Sequence, residues 1–102
     1  MDYIRETILP EAIALNQNYP NPFNPATTIH FSIANPVHVK ISIYNILGQR
    51  INTLSNRMMQ PGNYHVTWDG RDQFYHPVSS GTYFYMIQAG NFKDIKKMVL
   101  LR

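Results

Sequence analysis

The chain has 102 residues, of which 44% are hydrophobic and 13% are aromatic, so it suits one globular domain and is not disordered. The absence of cysteine excludes disulfides, thiol catalysis and cysteine-ligated zinc. The formal net charge of +3 comes from scattered basic residues, so no nucleic-acid partner is expected. No apolar stretch approaches the roughly 20 residues of a membrane-spanning helix, so direct membrane insertion is not expected either.

Residues 1–12 show no strand pattern, and they also lack the basic and apolar regions of a secretory signal peptide. We expect residues 1–12 to be a linker or a vector-derived segment. The folded domain is then expected to span residues 13–102.

The first distinctive segment is rich in proline and runs from Gln17 to Pro25. It cannot form a helix or a central strand, because proline lacks an N–H group and restricts the residue before it. Two interpretations are compatible: an extended backbone that a partner recognises, or a segment that covers a sheet edge. Edge protection is favoured as its main role.

Strand-like alternation begins after the prolines. The segment from Thr28 to Ile33 alternates polar and apolar residues, and the segment from Val37 to Tyr44 repeats the pattern after the break at Asn35-Pro36. Such segments predict antiparallel strands with one face in the core and one in water. The residues expected on the core face are Ile29, Phe31, Ile33, Val37, Val39, Ile41 and Ile43.

Turn residues divide the middle of the chain. A turn is predicted over 45–49, followed by a short strand over 50–54, a break at Pro61-Gly62 and an alternating strand that ends in Trp68. The segment Asp69-Gly70-Arg71-Asp72 has turn chemistry, since Asp caps backbone amides and Gly supplies positive φ.

The clearest local prediction is a final hairpin, in which 81–89 and 92–101 flank the two-residue loop Gly90-Asn91. This loop sets the register, so Tyr83 is expected opposite Met98, Phe84 opposite Lys97, and Tyr85 opposite Lys96. The side chains expected to point inward are Tyr83, Tyr85, Ile87, Met98 and Leu100. In total the pattern predicts about seven strands in an all-β, antiparallel, immunoglobulin-like β-sandwich.

The C-terminal strand carries the strongest functional signal, because the basic pair Lys96-Lys97 precedes an apolar end. An apolar terminus must be docked or recognised. Recognition through strand addition and a plain edge strand blunted by its lysines are both possible from the residues alone.

Other candidate sites are weaker. Trp68 is expected in the core rather than as a sugar platform. Asp69 and Asp72 favour a turn over a calcium site, although the sequence does not decide between them. No catalytic residues, metal ligands or cofactor are predicted. The four histidines, His30, His38, His65 and His76, come without cysteine or a helix-spaced pair, and His30 and His38 are expected in solvent.

Together these motifs resemble, in order and from about Ala14 to Arg102, the type A C-terminal sorting domain of the type IX secretion system. The matching segments are 17–25, 27–29, 39–49, Gly62, 68–72, 77–78, 80–85 and 96–101. The middle of the chain is also similar to the flagellar hook-capping immunoglobulin-like domain.

The resemblance implies a non-enzymatic signal domain that directs an upstream, covalently linked passenger protein through the periplasm to the cell surface or medium. The implied partners are the type IX translocon and a sortase-like peptidase. The residues implied in translocon recognition are Lys96, Lys97, Met98, Val99, Leu100, Gly81 and Tyr83. The implied N-terminal motif comprises Tyr19, Pro20, Asn21, Pro22 and Phe23.

One segment departs from the family pattern. Residues 73–76, Gln-Phe-Tyr-His, stand where the family usually has a glycine-containing polar turn. An alternative function follows from these aromatics: an adhesive or carbohydrate-binding module that uses Phe74, Tyr75 and an outward Phe84. A structural domain of the hook-capping type is the third hypothesis.

Overall fold

The computed structural model describes residues 10–102, in which two antiparallel β-sheets pack face to face and no helix occurs. This confirms the predicted all-β sandwich of seven strands. The strands are β1 (Ala14–Leu15), β2 (Thr27–Ile33), β3 (Val37–Tyr44), β4 (Arg50–Met59), β5 (Gly62–Trp68), β6 (Gly81–Ala89) and β7 (Phe92–Leu100).

The strand order is β1-β2-β5 in the smaller sheet and β4-β3-β6-β7 in the larger sheet. Consecutive strands β2 and β3 therefore lie in different sheets, and β5 returns to pair with β2. This crossing between sheets is the connectivity of immunoglobulin-like sandwiches. It leaves β7, the last strand, at one edge of the larger sheet.

The core forms between the inward faces of the two sheets. Alternate residues of β2 and β3 are fully buried, as the period-two pattern predicts, and Trp68 closes one end of the core. The Trp68 indole N–H donates a hydrogen bond to the Arg71 carbonyl at 2.8 Å, which satisfies its only polar atom. The prediction that Trp68 belongs to the core is confirmed.

The final hairpin has the predicted register. Tyr83 pairs with Met98, Phe84 with Lys97, and Tyr85 with Lys96, across the predicted two-residue loop. Gly90 takes a φ of 60°, which a glycine adopts without steric cost at the first position of a primed turn. All five side chains expected to point inward are buried.

Strand β4 is longer than expected, since it runs over ten residues, Arg50–Met59, instead of 50–54. It pairs with β3 along its whole length, but the register shifts between Ile41 and Ser42 and again between Ile43 and Tyr44. A bulge puts two consecutive residues of one strand against one residue of the other. The alternation of polar and apolar residues is lost at the bulges. For this reason the sequence pattern places the end of the strand at residue 54, whereas the strand continues to Met59.

The loop over 69–77 has the turn chemistry expected of its aspartates. The Asp72 carboxylate accepts hydrogen bonds from the amides of Phe74 and His76, at 2.9 and 3.0 Å. Tyr75 takes a φ of 67°, and within residues 10–102 no other non-glycine residue has a positive φ. A tyrosine thus adopts the left-handed conformation near the point where the family usually has a glycine.

Of the expected linker, residues 1–9 lie outside the described part of the chain. Residues 10–12 form no strand. The domain boundary at residue 13 stays a prediction.

Candidate recognition site on the C-terminal strand

The edge of β7 is the place where the two distinctive segments of the sequence meet. In an antiparallel strand the N–H and C=O groups of one residue point to the same side, and alternate residues point to opposite sides. Val99 and Leu101 form hydrogen bonds away from β6, so the odd-numbered residues of β7 face the free edge. Lys93, Ile95 and Lys97 belong to the same set.

The proline-rich segment lies along part of this edge. We call residues 16–25 the N-terminal clasp. It starts beside β2, where the Tyr19 amide donates to the Thr28 carbonyl and the Thr28 amide donates back, both at 2.9 Å. It then crosses to the larger sheet and pairs in parallel with β7 at Phe23 and Leu100.

Four groups on the edge of β7 are satisfied by the clasp. The Phe23 amide donates to the Val99 carbonyl at 3.0 Å, and the Leu101 amide donates to the Phe23 carbonyl at 2.9 Å. The Asn21 side-chain oxygen accepts from the Val99 amide, and the Gln17 side-chain amide donates to the Lys97 carbonyl. The proline-rich segment therefore covers a sheet edge, as the favoured interpretation predicts, and its recognition by a partner stays a prediction.

Phe23 anchors the clasp in the core. Its side chain is 2% exposed, and its ring lies 5.7 Å from the Trp68 ring, between centroids. Trp68 in turn makes an edge contact with Tyr83 at 5.2 Å. These aromatic contacts couple the clasp to the start of the C-terminal hairpin.

A buried polar network holds the beginning of the clasp. The Asn18 side-chain amide donates to the Pro20 carbonyl at 3.1 Å and to the Thr27 hydroxyl at 3.0 Å, and the Thr27 hydroxyl donates to the same carbonyl at 2.8 Å. Asn18 and Thr27 are both buried. The network explains how a segment without regular structure keeps one conformation.

Tyr85 ties this network to the larger sheet. Its hydroxyl donates to the Asn16 carbonyl at 2.7 Å and accepts from the Asn18 amide at 2.8 Å. Burial raises the pKa of Tyr85 to about 12, the hydrogen bond from Asn18 acts in the opposite direction, and the charge of Asp94 raises it further. The phenol therefore stays protonated and keeps donating across the neutral range.

The residues implied in translocon recognition fall into two groups. Met98 and Leu100 are 0% exposed and Tyr83 is buried, so these three side chains build the core. Tyr83 also forms a tyrosine corner, since its hydroxyl donates to the Ser79 carbonyl at 2.7 Å near the start of β6. The accessible members are Lys97, which is exposed, and the half-buried residues Lys96, Val99 and Gly81.

The N-terminal motif shows the same division. Tyr19 is 78% exposed, and Pro20, Asn21 and Pro22 are also exposed, whereas Phe23 is buried. The clasp therefore presents its prolines and Tyr19 to solvent while its phenylalanine fixes the segment in place.

The C-terminal residue is docked. The Arg102 guanidinium donates to the carbonyls of Val78 and Gly70, and its backbone amide donates to the Ser80 hydroxyl. Gly70 has a φ of 76°, and a Cβ there would lie 2.7 Å from the Arg102 guanidinium. The positive φ favours glycine at this position, and an added Cβ would displace the flexible end of the Arg102 side chain.

The outward face of the larger sheet contains a groove that sequence reasoning missed. It has a volume of about 430 Å³ and an almost entirely apolar lining. The lining residues are Tyr44, Asn45, Ile46, Gly48, Phe84, Met86 and Ile95. Ile95 is 55% exposed on β7, between Lys93 and Lys97 on the same face. The predicted register would have found it, because a strand with Met98 and Leu100 inward must have Ile95 outward.

The aromatics of the alternative glycan-binding hypothesis do not form one surface. Phe74 lies near His76, with 6.5 Å between ring centroids, whereas Phe84 lines the groove on the larger sheet. No ring contact within residues 10–102 joins Phe84 to Phe74 or Tyr75.

The two aspartates occupy a turn. Asp72 uses one carboxylate oxygen for two backbone amides, and Asp69 lies 3.9 Å from the Arg71 guanidinium. His30 and His38 are exposed, as expected, and His65 and His76 are exposed too. In the part of the chain that the structure describes, no three residues of the His, Cys, Asp or Glu types are grouped so that they could hold a metal ion.

Comparison with protein-family models places the chain in a family. The model described as "Secretion system C-terminal sorting domain" matches residues 17–101, so the chain belongs to this family of sorting domains. The match confirms the resemblance to type IX sorting domains, and with it the main functional prediction. Comparison with curated proteins gives no match.

Two solved structures have a similar fold. Dimeric latent PorU from Porphyromonas gingivalis matches with a TM-score of 0.69 and 18% identity, over 92% of this chain and 10% of that chain. PorZ, an essential surface component of the type-IX secretion system of Porphyromonas gingivalis, matches with a TM-score of 0.60 and 18% identity, over 89% of this chain and 12% of that chain. The chain therefore spans about a tenth of the length of either protein.

Proposed function

We propose that this domain delivers an upstream, covalently linked passenger protein to the type IX translocon, which recognises the folded sandwich at its C-terminal hairpin. The passenger then passes from the periplasm to the cell surface or the medium. The family match over residues 17–101 carries this proposal. The docked but edge-exposed position of β7 supports it, since a partner can approach that strand without unfolding the domain.

Within this proposal the implied recognition residues have different tasks. Lys96, Lys97 and Val99 offer accessible side chains to the translocon. Met98, Leu100, Tyr83 and Gly81 keep β6 and β7 in register beneath them. The exposed prolines of the clasp and Tyr19 supply a second accessible surface beside the strand.

The domain itself acts without catalysis in this proposal, and a sortase-like peptidase is its second partner. Its contribution is binding alone, through a preformed surface that loses little entropy when a partner docks. In residues 10–102 no helix is long and apolar enough to cross a membrane.

The test is a secretion assay. A reporter with a signal peptide is fused to residues 13–102 and expressed in a bacterium that has this machinery, beside the reporter alone. We expect surface or medium delivery only with the domain. Delivery that is equal without the domain would overturn the proposal.

A second arm tests the assigned residues. Removing residues 96–102 also removes core side chains, so the informative variant is the double substitution K96E/K97E, which keeps the core. R50E/R57E, on the opposite edge strand β4, changes the net charge by the same amount and is the matched control. We expect K96E/K97E to reduce delivery and R50E/R57E to leave it unchanged. Equal delivery by both variants would show that the lysine pair is not recognised.

A further inference from the structure

The free edge of β7 is covered over only part of its length. The clasp satisfies the Lys97 carbonyl, both backbone groups of Val99 and the Leu101 amide. Toward the loop, the Ile95 amide is occupied by the side chain of Asp94 at 2.8 Å. Among residues 10–102, no group hydrogen-bonds the backbone of Lys93, the Ile95 carbonyl or the Lys97 amide on this side. As far as residues 10–102 are concerned, the edge is therefore open over about five residues, except at the Ile95 amide and the Lys97 carbonyl.

The side chains beside this open edge alternate in a symmetric pattern. Lys93, Ile95 and Lys97 all point to the outward face, because Met98 and Leu100 point inward. Ile95 lies at one side of the apolar groove formed with Met86 and Phe84. The edge thus presents a positive charge, an apolar side chain and a second positive charge at successive outward positions.

No carboxylate balances this charge on the outward face. The acidic residues in the described part of the chain are Glu11, Asp69, Asp72 and Asp94. Asp69 and Asp72 lie in the loop after β5, and Glu11 precedes β1. Asp94 points to the opposite face of β7, with its carboxylate at the strand edge on the Ile95 amide. The outward face instead also contains Lys40, opposite Gln88 on β6.

From these observations we propose that the open edge of β7 binds an extended polypeptide segment with the pattern acidic–x–apolar–x–acidic, which adds a strand to the larger sheet. Its backbone pairs with residues 93–97. Its two carboxylates lie opposite Lys93 and Lys97, and its apolar side chain packs on Ile95 at the mouth of the groove. Directly opposed side chains in neighbouring strands are about 5 Å apart, which allows both kinds of contact.

A polypeptide fits this site better than another anionic ligand does, because the Lys93 backbone groups, the Ile95 carbonyl and the Lys97 amide offer donors and acceptors at strand spacing. The Ile95 amide joins them when the Asp94 carboxylate releases it. The pattern is the same in both directions along the strand. A parallel and an antiparallel partner therefore both satisfy it, and the clasp limits the added strand to about five residues.

This inference rests on the proposed function, since it specifies the chemistry of the partner that recognises the exported domain. It adds Lys93 and Ile95 to the recognition surface, neither of which belongs to the residues implied by the family resemblance. Both are exposed, so their substitution leaves the core unchanged.

A peptide titration followed by NMR tests the pattern. The probe is acetyl-Thr-Glu-Thr-Leu-Thr-Glu-Thr-amide, and the control has the same composition in the order acetyl-Thr-Thr-Glu-Leu-Glu-Thr-Thr-amide, which puts leucine and glutamate on opposite faces. We expect the probe to slow hydrogen exchange at the Lys97 amide and to shift the Ile95 methyl signals. Equal binding of both peptides, or binding that leaves the Lys97 amide unprotected, would overturn the inference.

Charge exchange provides the second arm. We expect K93E to weaken the probe by about tenfold, since one opposed ion pair becomes a like-charge pair. A probe with one glutamate replaced by lysine is expected to recover binding to K93E. R57E, on the far edge of the sheet, is expected to bind the original probe as the unsubstituted domain does. If R57E loses as much binding as K93E does, the weaker binding is explained by the change in net charge. That result would contradict the proposed site.

The secretion assay separates this inference from the proposed function. If the reporter fused to residues 13–102 is not delivered, the proposed function fails. If it is delivered and the double variant K93E/I95T is delivered equally well, the inference fails while the proposed function stands. We expect delivery of the unsubstituted fusion and at least a severalfold loss with K93E/I95T.

Discussion

The two halves of the β7 edge have the same strand geometry but different neighbours. From the Lys97 carbonyl to the Leu101 amide, the edge-facing backbone groups are covered by the clasp. From Lys93 to the Lys97 amide, the Ile95 amide bonds to Asp94 and the other edge-facing groups have no partner among residues 10–102. The covered half lies beside buried aromatics, and the open half lies beside an exposed apolar groove. The comparison shows that one strand can be docked for stability and still be accessible for binding.

An exposed strand edge carries a risk of unwanted pairing with other chains, and charged side chains reduce that risk. Here the open half is the half with Lys93 and Lys97, while the apolar end of the strand is the half that the clasp covers. The strand edge is therefore protected by the clasp where its side chains are apolar, and by lysine charges where its backbone is open. The variants below alter one half at a time.

The largest effect is expected from removing the anchor of the covered half. F23A empties a fully buried aromatic site beside Trp68, and a Phe→Ala change in a core costs about 3–5 kcal/mol in free energy of unfolding. Urea denaturation measures this loss. Hydrogen exchange at the Val99 and Leu101 amides should become faster, whereas exchange at the unpartnered Lys97 amide should change little. The control is Y19A in the same segment, which should change stability by less than about 0.5 kcal/mol.

An F23A domain as stable as the Y19A domain would mean that the clasp is not anchored through this ring. The clasp would then not stabilise the covered half of the β7 edge in the way that the contacts of Phe23 indicate.

The next effect concerns the docking of Arg102, at the end of the covered half. G70A forces a residue with a Cβ into a positive φ and against the Arg102 guanidinium, so we expect a loss of about 2–3 kcal/mol. G48A is the matched control, because Gly48 has a similar φ of 79° but no atom near the added Cβ. It should cost only the conformational part, about 1–2 kcal/mol.

Thermal or urea unfolding of the two variants gives the difference. A G48A variant that loses as much stability as G70A would show that the approach of Arg102 adds nothing to the conformational cost.

A pH titration tests the attachment of the clasp through Tyr85. Its pKa is raised from 10.0 to about 12 in the folded state, so the folded state holds its proton more tightly than the unfolded state does. The stabilisation is complete below pH 10, and it is lost as the pH rises from 10 to about 12. The total loss is on the order of 2 kcal/mol. The measurement is the free energy of unfolding between pH 8 and 12.

The comparison for this titration is Y85F, which removes the titrating group together with two hydrogen bonds. It should be less stable by about 1–2 kcal/mol at neutral pH, because the Asn18 amide loses its buried acceptor. It should also fall less steeply between pH 10 and 12. Parallel curves for the two domains would contradict the role of Tyr85.

The smallest effect is expected in the open half. I95T keeps a β-branched side chain at a half-exposed position and breaks no hydrogen bond, so stability should change by less than about 0.5 kcal/mol. Binding of the acidic–apolar peptide should nevertheless decrease. A stability loss comparable with that of F23A would mean that Ile95 serves the fold and not a partner.

Local rules were sufficient for the C-terminal hairpin. A two-residue loop fixes which residues of the two strands are paired. This pairing and the alternation of side chains together determine which residues point inward. Tyr83 opposite Met98 follows from counting outward from Gly90-Asn91, and the structure confirms it. Strand β4 was less predictable, because bulges against β3 interrupt the alternation that marks a strand.

The clasp shows the limit of such rules. Proline chemistry excludes helix and central strand over 17–25, but it does not select the edge that the segment covers. That choice depends on Phe23 fitting beside Trp68 and on hydrogen bonds to Val99, which is 76 residues further along the chain. A contact between such distant residues leaves no local pattern in either segment.

Sequence by itself determined the all-β class, the family membership and the inward and outward faces of the hairpin, because alternation and turn chemistry act over a few neighbouring residues. Only the tertiary structure decided that Met98, Leu100 and Tyr83 are buried supports, and that the accessible part of the strand includes Lys93 and Ile95. The physical reason is that exposure depends on what packs against a strand from elsewhere in the chain. At this edge, the clasp occupies one half of β7 and leaves the other half free.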